Sequence, residues 1–376
     1  MSRPAKAIIH LDALRHNFYV ARKLTKGKIV GVVKNNAYGH GAVEISRILE
    51  KEGIDALAVA CTEEAVELRE AGIQTEILLL EGFFSSKELS LIEKYRFTPL
   101  LHCTEQVDMF LKFKTNQAFN IWIKIDTGMN RLGFMPEKFL SHYLKIKACP
   151  HVKKIVLATH FARADEPDNP YTCEQIKCFR QVTQGQKEEV SLSNSAALLY
   201  NYGTHDDWVR PGLMLTGVSP FKRRQIEHPP LKPVMELTSE IIAVKELNPG
   251  MSVGYGGSFV ARKKTRTGVV AIGYGDGYPV TLSANAPVLI GHCRTVVIGR
   301  VSMDTLIIDL TDIPQANIGT KVTLWGPRLA VNEIARYAGT IPYALISGIQ
   351  RISREYVDLK STALTAEIQL KYQQCN

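Results

Sequence analysis

The chain has 376 residues, 45% hydrophobic and 22% charged, a balance that suits a globular protein with a large core and excludes a disordered or collagen-like one. Its net charge of +9 is spread along the sequence, and the short clusters Lys222-Arg223-Arg224 and Arg262-Lys263-Lys264 carry no interleaved aromatics, so they read as solvated loops and not as a nucleic-acid face. Arg3, Lys6 and His10 break up the first apolar stretch, so it falls short of the length expected of a secretory core or membrane span, and seven scattered cysteines imply free thiols in a reducing cytoplasm with no zinc knuckle or other metal ligand set.

In chain order, Ala7-Ile8-Ile9-His10-Leu11 reads as a strand, and Asp12 to Leu24 as a helix capped near Gly27. Strands are then predicted at Ile29–Lys34, Leu57–Ala60, Glu76–Leu80, Phe97–Leu101, Ile121–Asp126, Ile155–His160, Val190–Asn194 and Val209–Leu213. Amphipathic segments such as Thr62–Ala71, Ser85–Lys94, Thr104–Phe113 and Thr172–Gln184 lie between them. Alternation of this kind means βαβ units and a parallel sheet, and about eight repeats fit a closed (β/α)8 barrel better than an open doubly wound one. No Gly-x-Gly-x-x-Gly follows the first of these strands, which weakens a dinucleotide-binding reading.

After Pro220 the texture changes. A charged, proline-rich connection ends at Pro233, and short β-rich runs follow at Val234–Val244, Thr267–Ile272, Ala286–Leu289, Thr295–Val301, Thr305–Leu310 and Lys321–Leu324, with one helix near Val331–Ala338. The fold class is therefore α/β: an N-terminal TIM-type barrel over residues 12–230 and a C-terminal, mostly β domain over 231–376, joined by the N-terminal strand 1–11.

Reactive residues recur where the barrel strands end, which is where such barrels place their active sites. Lys34 ends the first strand in Val32-Val33-Lys34-Asn35-Asn36-Ala37-Tyr38-Gly39-His40-Gly41. Lysines ordinarily sit on solvated faces, whereas a desolvated one loses its proton readily and becomes an amine nucleophile. Lys124 and Arg131 flank the end of the fifth strand, His160 ends the sixth, Asn194 and Ser195 the seventh, and Arg210-Pro211-Gly212 the eighth. Each has an ordinary structural reading alone; their recurrence points to a site.

These strings resemble the alanine racemase family, in the family's order. They are the Lys34 motif, Asp126-Thr127-Gly128-Met129 with Leu132-Gly133, Thr159-His160-Phe161-Ala162, Asn194-Ser195, Val209-Arg210-Pro211-Gly212, Gly273-Tyr274-Gly275-Asp276-Gly277 and Val301-Ser302-Met303-Asp304. The resemblance implies a pyridoxal 5′-phosphate enzyme that interconverts L- and D-alanine in the cytoplasm, supplying D-alanine for peptidoglycan. Lys34 would hold the cofactor and act as base on one face of the substrate. Tyr255, in Val253-Gly254-Tyr255-Gly256, would act on the other face, contributed by the partner in a homodimer with shared active sites. Racemisation requires two such groups, because one base alone returns its proton to the side it came from. The resemblance assigns Arg210 to the pyridine nitrogen, His160 to a place between Arg210 and the tyrosine, and Tyr38, Ser195 and the backbone of Gly212 and Leu213 to the phosphate, beside Asn194. Arg131 and Met303 match the contacts to the substrate carboxylate and the cofactor phenolate, and Lys124 matches a lysine that many members carry as a carbamate. Asp165, Tyr274, Arg300 and Asp304 match the corridor by which small substrates enter.

Three positions depart from the family pattern: Asn35 stands where a small residue is usual, Gln350 where a phosphate-contacting tyrosine often precedes the Arg351-Ile352-Ser353-Arg354 segment, and Thr216 where a tyrosine is common. Other readings of the same residues are a broader amino-acid (serine) racemase, a non-catalytic pyridoxal-phosphate-binding protein, or a decarboxylase.

Overall fold

The computed structural model describes residues 3–221, 227–282 and 284–358. The Lys222-Arg223-Arg224 cluster, Cys375 and the end of the region assigned to the second domain lie outside the described residues. Strand β1 (Lys6–His10) runs directly into helix α1 (Leu11–Leu24). Eight parallel strands follow: β2 (Lys28–Val32), β3 (Ala56–Val59), β4 (Glu76–Leu79), β5 (Thr98–Leu101), β6 (Phe119–Lys124), β7 (Val152–Ala158), β8 (Glu189–Ser191) and β9 (Trp208–Val209). They alternate with α2 (Lys34–Tyr38), α3 (Ala42–Lys51), α4 (Thr62–Glu70), α5 (Glu88–Tyr95), α6 (Thr104–Lys112), α7 (Pro136–Lys147), α8 (Tyr171–Val182) and α9 (Ser195–Tyr200).

Strand order β8-β7-β6-β5-β4-β3-β2-β9 is that of a TIM-type barrel, as the alternation predicts. The seam between β8 and β9 closes through single bonds: Asp207 N to Val190 O at 3.1 Å, Arg210 N to Ser193 O at 2.9 Å, and a bridge between Asn194 and Arg210. Inside, Val30, Val32, Ala56, Ala58, Leu78, Leu100, Trp122, Val156, Ala158 and Trp208 pack as one apolar cluster. Small Ala56 and Ala58 leave room for the two indoles, which meet edge-on with centroids 5.8 Å apart. Most barrel strands end one to four residues before the predicted limit, the last two, at Ser191 and Val209, falling furthest short of Asn194 and Leu213. The apolar pattern runs on because the segments remain buried, but past the last ladder bond the chain turns into site loops.

The remaining elements are β10 (Met235–Leu247), β11 (Ser252–Val253), β12 (Phe259–Val260), β13 (Thr265–Val270), β14 (Pro287–Ile290), β15 (Cys293–Ile298), β16 (Leu306–Asp309), β17 (Lys321–Trp325), α10 (Val331–Tyr337), α11 (Pro342–Ser347) and β18 (Ser353–Val357). The larger sheet runs β13-β16-β15-β14-β17-β10-β1-β18, and β10 also pairs with β13. A register shift between Ile241 and Ala243 lets this long strand serve β1 and β17 with its first half and β13 with its second. Where the sequence suggested one helix, there are two among the described residues, since Pro342 opens α11 in its first turn. The charged run of β18 hides a strand that gains its ladder from β1, in parallel.

Glu236 on β10 ties three strands together, lying 3.6 Å from His10 Nε2 on β1 and 3.0 Å from Lys321 Nζ on β17. His10 first, then Lys321 and Thr323, lower its carboxyl to about 2 against the opposing effect of burial. A depressed carboxyl stabilises the fold above its unfolded value and ceases to do so as pH falls through the folded one. Glu236→Gln is expected to lose about 1 kcal/mol at neutral pH. That gap between variant and wild type closes as pH falls from 4.5 towards 2, read from urea midpoints.

Candidate active site

Lys34 leaves β2 into a turn of opposite hand to an ordinary helix. Asn35, Asn36, Ala37 and Tyr38 all have φ between 50° and 54°, and Ala37 N bonds back to Val33 O at 2.8 Å. Left-handed geometry costs most L-residues about 1–2 kcal/mol each, and asparagine tolerates it best. The asparagine at position 35, a departure by family pattern, is therefore suited to its backbone. The strain is offset by specific bonds: Glu64 accepts Asn35 N at 2.6 Å and Ala60 N at 2.8 Å, and Asn36 Oδ1 accepts Ala42 N at 2.7 Å. His40 Nδ1 reaches the carbonyls of Ala37 and Tyr38 at 3.0 and 2.9 Å, and Arg354 Nε donates to Gly39 O at 2.6 Å. Burial lowers the His40 pKa to about 4, so its imidazole stays neutral. The turn fits tightly: a methyl on Gly39 would come within 2.0 Å of Ile346 O, and one on Gly41 within 1.9 Å of Tyr356 Oη. Lys34 is left half-buried at the barrel mouth.

Around it stand Lys124, Arg131, His160 and Arg210, close enough to act on one another electrostatically. Lys124 is buried; burial first, then Arg131, Arg210 and Lys34 lower its pKa to about 8, with Asp126 opposing. Asp126 Oδ1 accepts Gly128 N and Asn130 N at 2.9 and 3.0 Å, folding the loop that carries the exposed Arg131. Burial, and then Arg210 and the other cations, push His160 well below the usual histidine range. The neutral ring lies 3.5 Å from Arg210 through Nδ1. Arg210 itself is 6% exposed and donates to Ser191 Oγ at 2.6 Å, Thr159 O at 2.6 Å and Leu192 O at 3.2 Å.

On the far side of this cluster, Ser195 Oγ accepts Gly212 N at 2.9 Å and Met214 N at 3.2 Å. Its lone pairs are engaged, so its O–H remains to donate. Gly212 N–H is thereby used within the protein. Tyr38 Oη lies against Gly212, where a methyl would approach it within 2.4 Å, and burial raises its pKa, keeping it a neutral donor. Asn194 caps α9 by accepting Ala197 N at 3.1 Å, and Leu213 opens a buried 3-10 turn, Leu213–Thr216. Thr216, the other departure in this region, donates to Leu213 O at 2.7 Å and closes that turn.

The sequence reading missed Tyr343. Its ring centroid lies 6.0 Å from that of Tyr38, and Asp165 is near enough to help burial raise its pKa, to about 12. It arrives on α11, a helix that sequence did not foresee, so no local signal marked it. Gln350 is exposed, and Tyr356 packs at Gly41.

The β-domain residues form a second group. Tyr255 follows β11 in a turn that needs positive φ at Gly254 and Gly256, and is 71% exposed, with Arg300 alongside. Tyr274 and Met303 are also exposed, and Gly275 N bonds Met303 O at 2.8 Å. Fully buried Asp276 anchors this loop by binding Arg3 at 2.6 Å and Arg351 at 3.2 Å, and Arg351 reaches Asp304 at 2.8 Å. Within the chain, among the described residues, no hydrogen bond or ion pair joins this group to the barrel group.

Two family profiles match the chain, "Alanine racemase, N-terminal domain" over residues 9–220 and "Alanine racemase, C-terminal domain" over 234–356. The chain is 48% identical to the catabolic alanine racemase of Pseudomonas putida, over 94% of this chain and 99% of the relative. It is also 48% identical to the alanine racemase of Xylella fastidiosa, strain Temecula1, over 94% and 97%. Among solved structures it resembles the biosynthetic alanine racemase of Pseudomonas aeruginosa, with TM-score 0.91 and 40% identity over 94% and 99%. The Bacillus anthracis alanine racemase with bound L-Ala-P gives TM-score 0.85 and 29% identity over 95% and 96%.

The lowered Lys124 pKa is open to measurement. Carbamylation by cyanate, mapped by peptide mass spectrometry, is expected to show Lys124 reacting with a midpoint near pH 8, below the ordinary lysine value of 10.5. Arg131→Gln removes the first positive neighbour and is expected to raise that midpoint by about half a unit.

Proposed function

The chain belongs to the alanine racemase family, and we propose that it interconverts L- and D-alanine with pyridoxal 5′-phosphate, Lys34 and Tyr255 working on opposite faces of the substrate. The donor set fits that cofactor. An amine at Lys34 can bond an aldehyde, the free O–H groups of Ser195 and Tyr38 beside Leu213 suit a phosphate, and the Arg210 guanidinium suits a ring nitrogen that accepts. Gly212 supports the phosphate end by letting Tyr38 come close, its own N–H being committed to Ser195. When bound, pyridoxal phosphate supplies an electron sink for a broken Cα–H bond.

The residues of the chain do the rest. Lys34, fixed by its strained turn, holds the cofactor and moves the proton on one face. Tyr255 moves it on the other, and a phenol that gives up a proton near neutrality needs positive neighbours such as this cluster offers. Arg131 pairs with the substrate carboxylate, with the backbone near Met303 as the companion contact of this reading. Arg210 can only donate, so it keeps the ring nitrogen unprotonated, which limits side reactions at some loss of electron withdrawal. Neutral Lys124 is the form that takes up carbon dioxide, and a carbamate there would brace Arg131. Asp165, Tyr274, Arg300 and Asp304 line the approach.

The observation that carries this reading is the cationic cluster around Lys34 together with two hydroxyls, those of Ser195 and Tyr38, left free to donate. The 71% exposure of Tyr255, with exposed Met251 and Val260 nearby, supports a homodimer in which Tyr255 completes the site of a second copy. No described helix is long and apolar enough to cross a membrane. The six described cysteines are free thiols, which supports a reducing compartment such as the cytoplasm; the supply of D-alanine for peptidoglycan follows from the family reading alone.

The purified protein is expected to be yellow, and borohydride to fix the cofactor on Lys34; a colourless Lys34→Ala that racemised alanine at the wild-type rate would refute the proposal. In heavy water, wild type should incorporate deuterium at the α-carbon of L-alanine while converting it, and Tyr255→Phe should lose about 10²–10⁴-fold in conversion. Comparable rates on alanine, serine and lysine would favour the broader racemase. Gly212→Ala, which presses on Tyr38, is expected to weaken cofactor binding about tenfold.

A further inference from the structure

Arg210 is a buried guanidinium bonded only to uncharged groups. Among the described residues its partners are two carbonyls, one hydroxyl and a neutral imidazole, with no carboxylate in ion-pair range. The groups that face it from the neighbouring strand ends, Lys34, Lys124, Arg131 and His160, are cations or a histidine held neutral. Leaving a buried charge uncompensated is costly.

On Arg210's own side of the seam, just before β9 and four residues earlier in the sequence, lies Asp206. The segment from Ser191 to Ser193 runs between the two. Its Leu192–Ser193 peptide gives its carbonyl to Arg210 at 3.2 Å and its N–H to Asp206 Oδ1 at 3.3 Å. Leu192 N–H and Thr204 Oγ1 also donate to Asp206, as does Ser193 Oγ at 2.5 Å. On the other side, Ser191 Oγ and Ser193 O receive the side chain and the backbone N–H of Arg210. A cation at the carbonyl end of an amide and an anion at its N–H end polarise it in the same sense.

We infer that Asp206 is the counter-charge of Arg210, coupled to it through the Leu192–Ser193 peptide, and is thereby a positioning residue for the guanidinium that faces the cofactor ring. The electrostatics agree in sign: burial lowers the Arg210 pKa to about 10, and Asp206 works against that fall. The simpler role for Asp206 is to tie its own loop together through Ser193 and Thr204. The two roles differ in what happens when Arg210 is gone.

A double-mutant cycle on the apoprotein decides between them. Asp206→Asn keeps the shape and removes the charge; it is expected to lower the thermal midpoint by roughly 3–6 °C beside Arg210, and by less than half that in an Arg210→Met background. Thr204→Val, which removes two loop hydrogen bonds, to Asp206 and Ser193, and no charge, should lose the same amount in both. Equal losses for Asp206→Asn in both backgrounds would overturn the inference. If Asp206→Asn folds only with Met at position 210 the coupling stands, and if it folds in neither the loop role prevails.

The part of the inference that concerns the cofactor rests on the reading above and has its own readout. Removing a negative charge makes the site more positive, so the pH at which the visible band of the lysine-bound cofactor titrates should fall by about half a unit in Asp206→Asn and return in Asp206→Glu. An unmoved midpoint would overturn the positioning role. A wild type that takes up no pyridoxal phosphate would sink the functional reading, while the apoprotein cycle still decides the coupling.

Discussion

The interaction on which the site depends is the seating of one guanidinium in the barrel's closing seam. The β8–β9 edge lacks a continuous ladder, and Arg210 supplies part of what is missing: its backbone bonds Ser193 and its side chain bonds Ser191, Leu192 and Thr159. The same residue therefore helps close the barrel and sets the charge of its mouth. Burial first, with Arg210 adding to it, keeps His160 neutral, and burial, Arg131 and then Arg210 make Lys124 a weaker base. The floor of the site is positive because Arg210 at the seam joins Lys34, Lys124 and Arg131 from other strand ends.

A positive floor governs how the lysine must be delivered. An ordinary strand-to-helix turn would carry Lys34 into a right-handed first turn. The chain instead reverses hand for four residues, held by bonds from Glu64, Asn36, His40 and Arg354. These come from the neighbouring βα unit, the turn itself and β18. Strain of this kind persists only where its surroundings over-determine it. Gly39 and Gly41 lie against Ile346 and Tyr356, so the β domain is a mould for the barrel's reactive turn as well as the bearer of Tyr255.

Much of this was legible in the chain. Eight apolar segments spaced by amphipathic ones gave the barrel, and the change of texture after Pro220 gave the β-rich half. The residues proposed for the barrel site fall just past the strand ends because barrel topology gathers those ends on one face. What failed to show was whatever depends on a distant partner. β18 is a charged run that becomes a strand only beside β1. Tyr343 lies in a short helix with no site-like pattern and gains meaning from Tyr38, far away in sequence. Asp206 looks like one of two loop acids until the seam puts it across a peptide from Arg210.

The sequence by itself determined the periodicities, hence which segments become strands and helices, and the order of reactive residues along them, because those properties are local and repeat every two or about four positions. Tertiary structure alone decided the hand of the lysine turn, the sharing of amides across the seam, and the pairing of Tyr38 with Tyr343. Each of these is fixed by contacts between residues distant in sequence, and a linear pattern carries no record of which distant groups will compete for the same hydrogen bond or the same charge.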